Sequence, residues 1–315
     1  MCSVGLMRGD RMVWSPGDVM AAAAYGQPDG EWTGPLVTDG ASSRMQCMQV
    51  WGGSQAADTS VSTTGLDVWL YCQPYGSGAE GGDVYYVSSC SSGRITRLAL
   101  ADVRGHGETV LALAESLHRL MRRHIDHIDQ KTLVREVNRE FTAAGDTSTF
   151  ATGLIATFFL PTNTLSLTNA GHPAPLLFSG RHRAWQAIEW TSNSAGPSDI
   201  PLGIFESASY AQVGVKMTTD DLLLCWTDGL EECVDDAGEM LGQDGLAAII
   251  AETNPAEPGS IIPDILRRVA SMSADNLSAD DVTMLLIRPN GASVPWRDNL
   301  LAPFRYLRNL MGGGT

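Results

Sequence analysis

The stretch ATGLIATFFLPTNTLSLTN, Ala151 to Asn169, decides the fold class. Its first ten residues are mostly apolar, and the segment from Thr164 to Asn169 alternates between polar and apolar side chains. Pro161-Thr162-Asn163 supplies turn chemistry between the two halves, so the whole predicts a β-hairpin. Upstream of it, Asp67 to Gln73, Asp83 to Ser88 and Arg94 to Val103 carry strand patterning. Downstream, the same patterning recurs at Pro175 to Phe178, Ala184 to Trp190, Tyr210 to Met217, Leu222 to Trp226 and Val282 to Arg288. Helical spacing appears at Glu108 to about Ile125, with Leu111, Ala114, Leu117, His118 and Met121 recurring along it, and again at Lys131 to Phe141. Two later helices are expected near Gly245 to Glu252 and Ile261 to Met272. Strands and helices come in clusters rather than in strict alternation. That order predicts an α+β fold, an antiparallel β-sandwich flanked by helices in α-β-β-α layers.

Texture divides the chain into three parts. Residues 1–65 are rich in Gly, Ser, Thr, Ala and Asp, and are expected to form an irregular N-terminal extension, with Met45 to Trp51 (MQCMQVW) as a single strand or docked arm. Residues 66–289 carry the patterned elements and form the expected catalytic domain, and residues 290–315 a tail ending in a short helix that frays. Acidic residues outnumber basic ones 36 to 21, a net charge of −15, which disfavours nucleic acid or an anionic membrane surface as a partner. Six cysteines are scattered without a C-x-x-C pair, so a reduced, cytoplasmic setting is expected. No apolar run approaches the ~18 residues of a membrane span, and Arg8, Asp10 and Arg11 interrupt any signal-peptide core.

Four acidic stretches carry the chemistry: Gly81-Gly82-Asp83, Asp102-Val103-Arg104-Gly105-His106-Gly107, Thr227-Asp228-Gly229 and Asp280-Asp281-Val282-Thr283. Asp102 and Asp228 each end an apolar strand, where an unpaired carboxylate is costly to desolvate without a cation or donors beside it. Carboxylates from distant segments, without a Cys/His ligand pattern, suit hard ions such as magnesium or manganese. Each motif also has a plainer reading. Asp102 could cap the following helix, Gly81-Gly82-Asp83 and Thr227-Asp228-Gly229 are common turns, and Asp280-Asp281 could be a solvated loop. The weight lies in the set.

The sequence resembles the metal-dependent serine/threonine protein phosphatases of type 2C, in their bacterial sporulation-phosphatase-like branch. The matching stretches are GGDVYYV from Gly81, ALADVRGHG from Ala99, FATGLIATFFLPTNTLSLTNAGHPAPLLF from Phe150, PLGIF from Pro201, DDLLLCWTDGLEE from Asp220 and DDVTMLLIR from Asp280. They occur in the family's order over roughly residues 66–289. The resemblance implies a site for two Mn2+ or Mg2+ ions at one edge of the sandwich. Asp102 matches the carboxylate that bridges the ions, and Val103 the residue that lends a backbone carbonyl. Asp228 and Asp280 match terminal ligands, and Asp83 an acid that holds a metal directly or through water. Glu232 falls near a weaker third metal site of the family. The implied reaction is phosphomonoester hydrolysis by a metal-bound hydroxide. The implied substrate is a phosphorylated protein in a bacterial signalling or sigma-factor pathway, such as an anti-sigma-factor antagonist.

Two further residues are catalytic candidates. His106 is either a general acid for the leaving oxygen or a turn histidine bonded to backbone. Arg104 replaces a small residue of the branch and either binds the substrate phosphate or perturbs the metal site. His172 in Asn169-Ala170-Gly171-His172-Pro173 is read as structural, and His118, His124 and His127 as surface histidines. A phosphatase-fold interaction module with weak or no catalysis and a small-molecule phosphoesterase stand as alternatives. Oligomeric state is not legible in the sequence.

Overall fold

The computed structural model describes residues 50–293, except 77–78, 91–92, 105–107, 126, 128, 146–148 and 191–196, together with three two-residue strands nearer the N-terminus. Those are β1 (Met7–Arg8), β2 (Arg11–Met12) and β3 (Ser43–Arg44), followed by β4 (Val50–Gln55), β5 (Ala57–Ser62), β6 (Leu66–Gln73), β7 (Glu80–Ser89) and β8 (Ile95–Val103). Helices α1 (Glu108–Arg123) and α2 (Gln130–Ala144) come next, then β9 (Ala151–Phe159), β10 (Thr164–Ala170), β11 (Leu176–Ser179), β12 (Ala184–Ala187), β13 (Val213–Lys216) and β14 (Leu222–Trp226). The last described elements are α3 (Gly242–Ala251), α4 (Pro258–Met272) and β15 (Val282–Pro289).

Two sheets carry the fold. The first runs β13-β10-β9-β8-β7-β4 and the second β12-β11-β14-β15-β6-β5-β3. All pairings in them are antiparallel apart from the short β3–β5 contact. The hairpin of Ala151 to Asn169 forms as expected, with Thr164 opposite Phe159 and Asn163 taking the left-handed turn conformation (φ 51°).

Period-2 patterning explains the layers. One face of each sheet points inward, where Leu98, Leu100, Phe158, Leu70, Leu285 and Leu223 form a shared core between the sheets. The outer face of the first sheet packs Tyr86 and Ile155 against Leu117, Leu133 and Phe141 of α1 and α2. The outer face of the second packs Trp226 and Leu286 against Ile250, Ile261 and Ile265 of α3 and α4. Strands buried on both faces, such as β14 and β15, therefore show continuous apolar runs instead of alternation. The outcome is the α-β-β-α sandwich expected from the sequence.

The sandwich starts upstream of position 66, where composition changes. Strand β4 pairs with β7 at the edge of the first sheet, and β5 pairs with β6 one place in from the short edge strand β3; their Gly- and Ser-rich texture reflects half-exposed positions. Strand β12 stops at Ala187, short of the expected Trp190. His118 is not a surface histidine: it packs on the Tyr86 ring (centroids 5.7 Å apart), because α1 turns that side toward the sheet. Residues 45–49 of the proposed arm and the proposed tail helix lie outside the described residues. Among the described residues no helix is long and apolar enough to cross a membrane.

Candidate metal centre

Four of the five sequence-predicted carboxylates reach one end of the sandwich through strand ends. Asp83 and Asp102 are directly paired across β7 and β8 of the first sheet. Asp228 opens a 3-10 turn, Asp228–Leu230, immediately after β14, and Asp280 precedes β15, the neighbour of β14 in the second sheet. Glu232, the fifth, donates its amide to the Asp228 carbonyl (2.9 Å), which keeps it over the same turn.

Glycines let the two sheets approach here. A Cβ at Gly229 would lie 2.2 Å from the Asp281 carbonyl oxygen and 3.2 Å from the Asp280 Cβ. A Cβ at Gly81 would lie 2.3 Å from Asp281 Oδ1, and one at Gly82 2.9 Å from the Val103 carbonyl oxygen. The Gly-Gly pair thus leaves a cradle between the Val103 carbonyl and the Asp281 carboxylate. Asp281, named in the sequence only as part of the acidic stretch and given no role of its own, accepts the amides of Gly82 (2.6 Å) and Tyr75 (2.5 Å). The only sequence signal for it was the doubled Asp before a β-branched strand.

Electrostatics identify the focus. Burial, followed by the charges of Asp228, Asp280, Asp281 and Glu232, pushes the Asp102 carboxyl up to about 7. Burial lifts Asp280 above the usual carboxylate range, with Asp228 and Asp281 adding to it. Glu232 is raised by burial, then by Asp228 and Asp280. Asp83, only 1% exposed, is raised by burial and by Asp102, against hydroxyl donors from Thr283 (2.6 Å) and Thr227 (2.7 Å). Among the described residues, the charges that most affect Asp102 are those of other acids, and they repel its carboxylate.

A donor set of carboxylates plus a backbone carbonyl fits one or more hard divalent cations. Among the described residues, no three His, Cys, Asp or Glu side chains stand close enough to hold an ion without adjustment. The acids act on Asp102 over electrostatic range.

Arg104 is exposed beside Val103, with its guanidinium carbon 5.0 Å from the centre of the Phe150 ring and its amide on the Phe150 carbonyl (3.1 Å). His106 lies outside the described residues. His172 is buried, with Nδ1 2.9 Å from the Thr152 hydroxyl, and Thr152 is the register partner of Asp102. Burial, opposed by the backbone of Trp226, drives its pKa down to about 3, so the ring is neutral. It therefore contacts the β9 residue opposite Asp102 and adds no charge.

Comparison with known proteins gives the family and the fold. The family model described as Stage II sporulation protein E (SpoIIE) matches residues 92–290. The chain is 26% identical over 138 residues to phosphoserine phosphatase RsbP of Bacillus subtilis (strain 168), covering 42% of this chain and 32% of RsbP. It thus spans about a third of that curated relative. Among solved structures, the RsbU and RsbW domains of Rv1364c from Mycobacterium tuberculosis superpose with a TM-score of 0.61 at 22% identity, over 75% of this chain and 64% of that one. The PP2C phosphatase domain of SpoIIE from Bacillus subtilis superposes with a TM-score of 0.60 at 16% identity, over 76% of this chain and 71% of that one.

Proposed function

This chain belongs to the SpoIIE family, and from that premise we propose that it is a divalent-metal-dependent phosphatase acting on phosphoserine or phosphothreonine in proteins. The observation that carries the reading is the convergence of Asp228, Asp280, Asp281 and Glu232 on Asp102, at the end of a sandwich of this family. Asp102, the Val103 carbonyl, Asp228 and Asp280 would hold two ions, Mn2+ or Mg2+. Asp83 would support the set or ligate through water, and Glu232 would serve a weaker third ion. When bound, such ions supply Lewis-acid charge and lower the pKa of water.

The chain's own residues do the rest. The carboxylates would fix where positive charge resides, and the burial of Asp83 and partial burial of Asp102 would limit its screening by bulk water, while Asp280 and Glu232 face solvent. Arg104, held on the Phe150 ring outside the acidic focus, binds the phosphoryl group of the substrate and orients it. His106 is the candidate donor to the leaving serine or threonine oxygen. No phosphorylated enzyme residue is required. The phosphoserine phosphatase among its relatives favours a protein substrate, with a phosphorylated anti-sigma-factor antagonist as the candidate partner.

The test is phosphate release from a phosphoserine peptide and from p-nitrophenyl phosphate, with Mn2+, Mg2+ or chelator. Metal-dependent turnover that favours the peptide is expected. No turnover with either ion would sink the enzyme reading in favour of a phosphatase-fold interaction module, and turnover of the aryl ester alone would favour a small-molecule phosphoesterase.

Arg104 yields a separate expectation. A charge-assisted bond to phosphate contributes about 1.5–3 kcal/mol, so Arg104→Ala should raise KM for the peptide about tenfold or more and weaken inhibition by inorganic phosphate in parallel. Arg104→Lys should recover only part, because an ammonium lacks the planar fork. Unchanged KM and phosphate inhibition in Arg104→Ala would remove Arg104 from the substrate site.

A further inference from the structure

At the end of the sandwich, two threonines and one aspartate form a closed, buried unit that joins the sheets. Asp83 lies on β7 of the first sheet, Thr283 on β15 of the second, and Thr227 directly follows β14. Asp83 is 1% exposed and both threonines are 0% exposed. The Thr283 amide donates to Thr227 Oγ1 (2.9 Å), which turns the Thr227 hydroxyl proton toward Asp83 Oδ2 (2.7 Å). The Thr283 hydroxyl donates to that same oxygen (2.6 Å), and the Thr227 amide donates to the Thr283 carbonyl (3.0 Å). Both hydroxyls donate to Oδ2, with the Thr283 carbonyl oxygen a longer second acceptor for the Thr227 hydroxyl (3.5 Å), and neither reaches Oδ1.

We propose that Thr227 and Thr283 are positioning residues that set the spacing of the metal-holding carboxylates across the two sheets. The inference rests on the metal-centre reading above. Asp83 is the register partner of Asp102, Thr227 immediately precedes Asp228, and Thr283 follows Asp280 by three residues. A shift at the unit therefore reaches carboxylates of both sheets within one to three residues. Apolar packing alone would let the sheets slide by fractions of an ångström, since it is not directional. Two short hydrogen bonds to one buried oxygen do not permit that slide.

Thr283→Val keeps the shape of the side chain and removes its hydroxyl, whereas Thr283→Ser keeps the hydroxyl. Titrating metal-free protein with Mn2+ by calorimetry should show Val weakening affinity within the ~10–100-fold range typical of lost outer-shell partners, and Ser close to wild type. Amide hydrogen exchange of the metal-free protein gives a second readout. Val should speed exchange at Thr227 to Leu230 and Val282 to Met284, and Ser should not. The Thr227→Val and Thr227→Ser pair repeats the comparison should Thr283→Val fail to fold.

Wild-type affinity in the folded Val variants would overturn the proposal. So would Ser variants as weak as Val, because volume and not the hydroxyl would then matter. If wild-type protein itself takes up no Mn2+, the metal-centre reading fails and the spacing role that rests on it fails too. Exchange then reports only whether the threonines tie the two segments together, and unchanged exchange in the Val variants denies them that as well.

Discussion

Asp102→Asn should abolish metal-dependent hydrolysis and, in the same protein, raise the stability of the metal-free chain at neutral pH. The two effects share one cause. Asp102 stands where burial and four neighbouring acids oppose its charge. Without a cation that opposition is unrelieved, and with one it becomes the means of binding. Loss of an outer-shell partner typically costs ~10–100-fold, so removing the carboxylate at the focus should cost more than ~100-fold. For stability, the carboxyl moves from 3.8 to about 7 on folding. The folded chain therefore holds a proton that the unfolded chain has lost, and the contribution of Asp102 is fully present below about pH 4. It falls away as pH rises through about 7. The shift caps the resulting penalty at roughly 4 kcal/mol, and Asn, which never ionises, escapes it. Thermal unfolding at pH 5 and pH 8 in chelator checks this: the advantage of Asn should be largest at pH 8 and less than half as large at pH 5. An Asn variant less stable than wild type at pH 8 would show that Asp102 is not under strain from its neighbours.

Gly229→Ala should lower both stability and turnover, although the change is one methyl group. The added carbon would lie 2.2 Å from the Asp281 carbonyl oxygen, a backbone atom that no rotamer change can move. The Asp228 turn or the Asp280-Asp281 segment must give way, so the two groups of proposed ligands separate. Overpacking of this kind costs typically about 1–3 kcal/mol. Displacement of reacting groups by about 1 Å can cost ~100-fold in rate, which is the expected loss of turnover. Gly259→Ala is the matched control. Its Cβ would meet only the Trp69 indole nitrogen at 3.5 Å, and it lies at the start of α4. Helix propensity then predicts no loss there and a gain of up to ~1 kcal/mol. Gly229→Ala with wild-type melting and turnover would mean that the two segments are not packed as described.

Much of this was legible in the sequence, for local reasons. The hairpin of Ala151 to Asn169 announces itself through an apolar run, a turn and an alternating run, and local pairing then realises it. Asp102 and Asp228 stand out because a carboxylate at the end of a buried strand needs an explanation. The threonines did not stand out. A Thr before an apolar strand looks like any strand residue, and its role here depends on Asp83, 144 positions from Thr227 and 200 from Thr283. Asp281 was hidden for the same reason, since its partners Tyr75 and Gly82 are 206 and 199 positions away. Strand β4 was obscured by its glycines: Gly52 sits where a Cβ would meet the Tyr85 carbonyl oxygen at 2.5 Å, so close sheet packing produced loop-like composition.

The most direct measurement is the stoichiometry of Mn2+ bound by metal-free protein, read by calorimetry for wild type and for Asp102→Asn. Two ions per chain in wild type, with uptake lost or reduced by more than ~100-fold in affinity in the variant, is the predicted result. No uptake by wild type, or equal uptake by both proteins, would contradict a metal centre focused on Asp102.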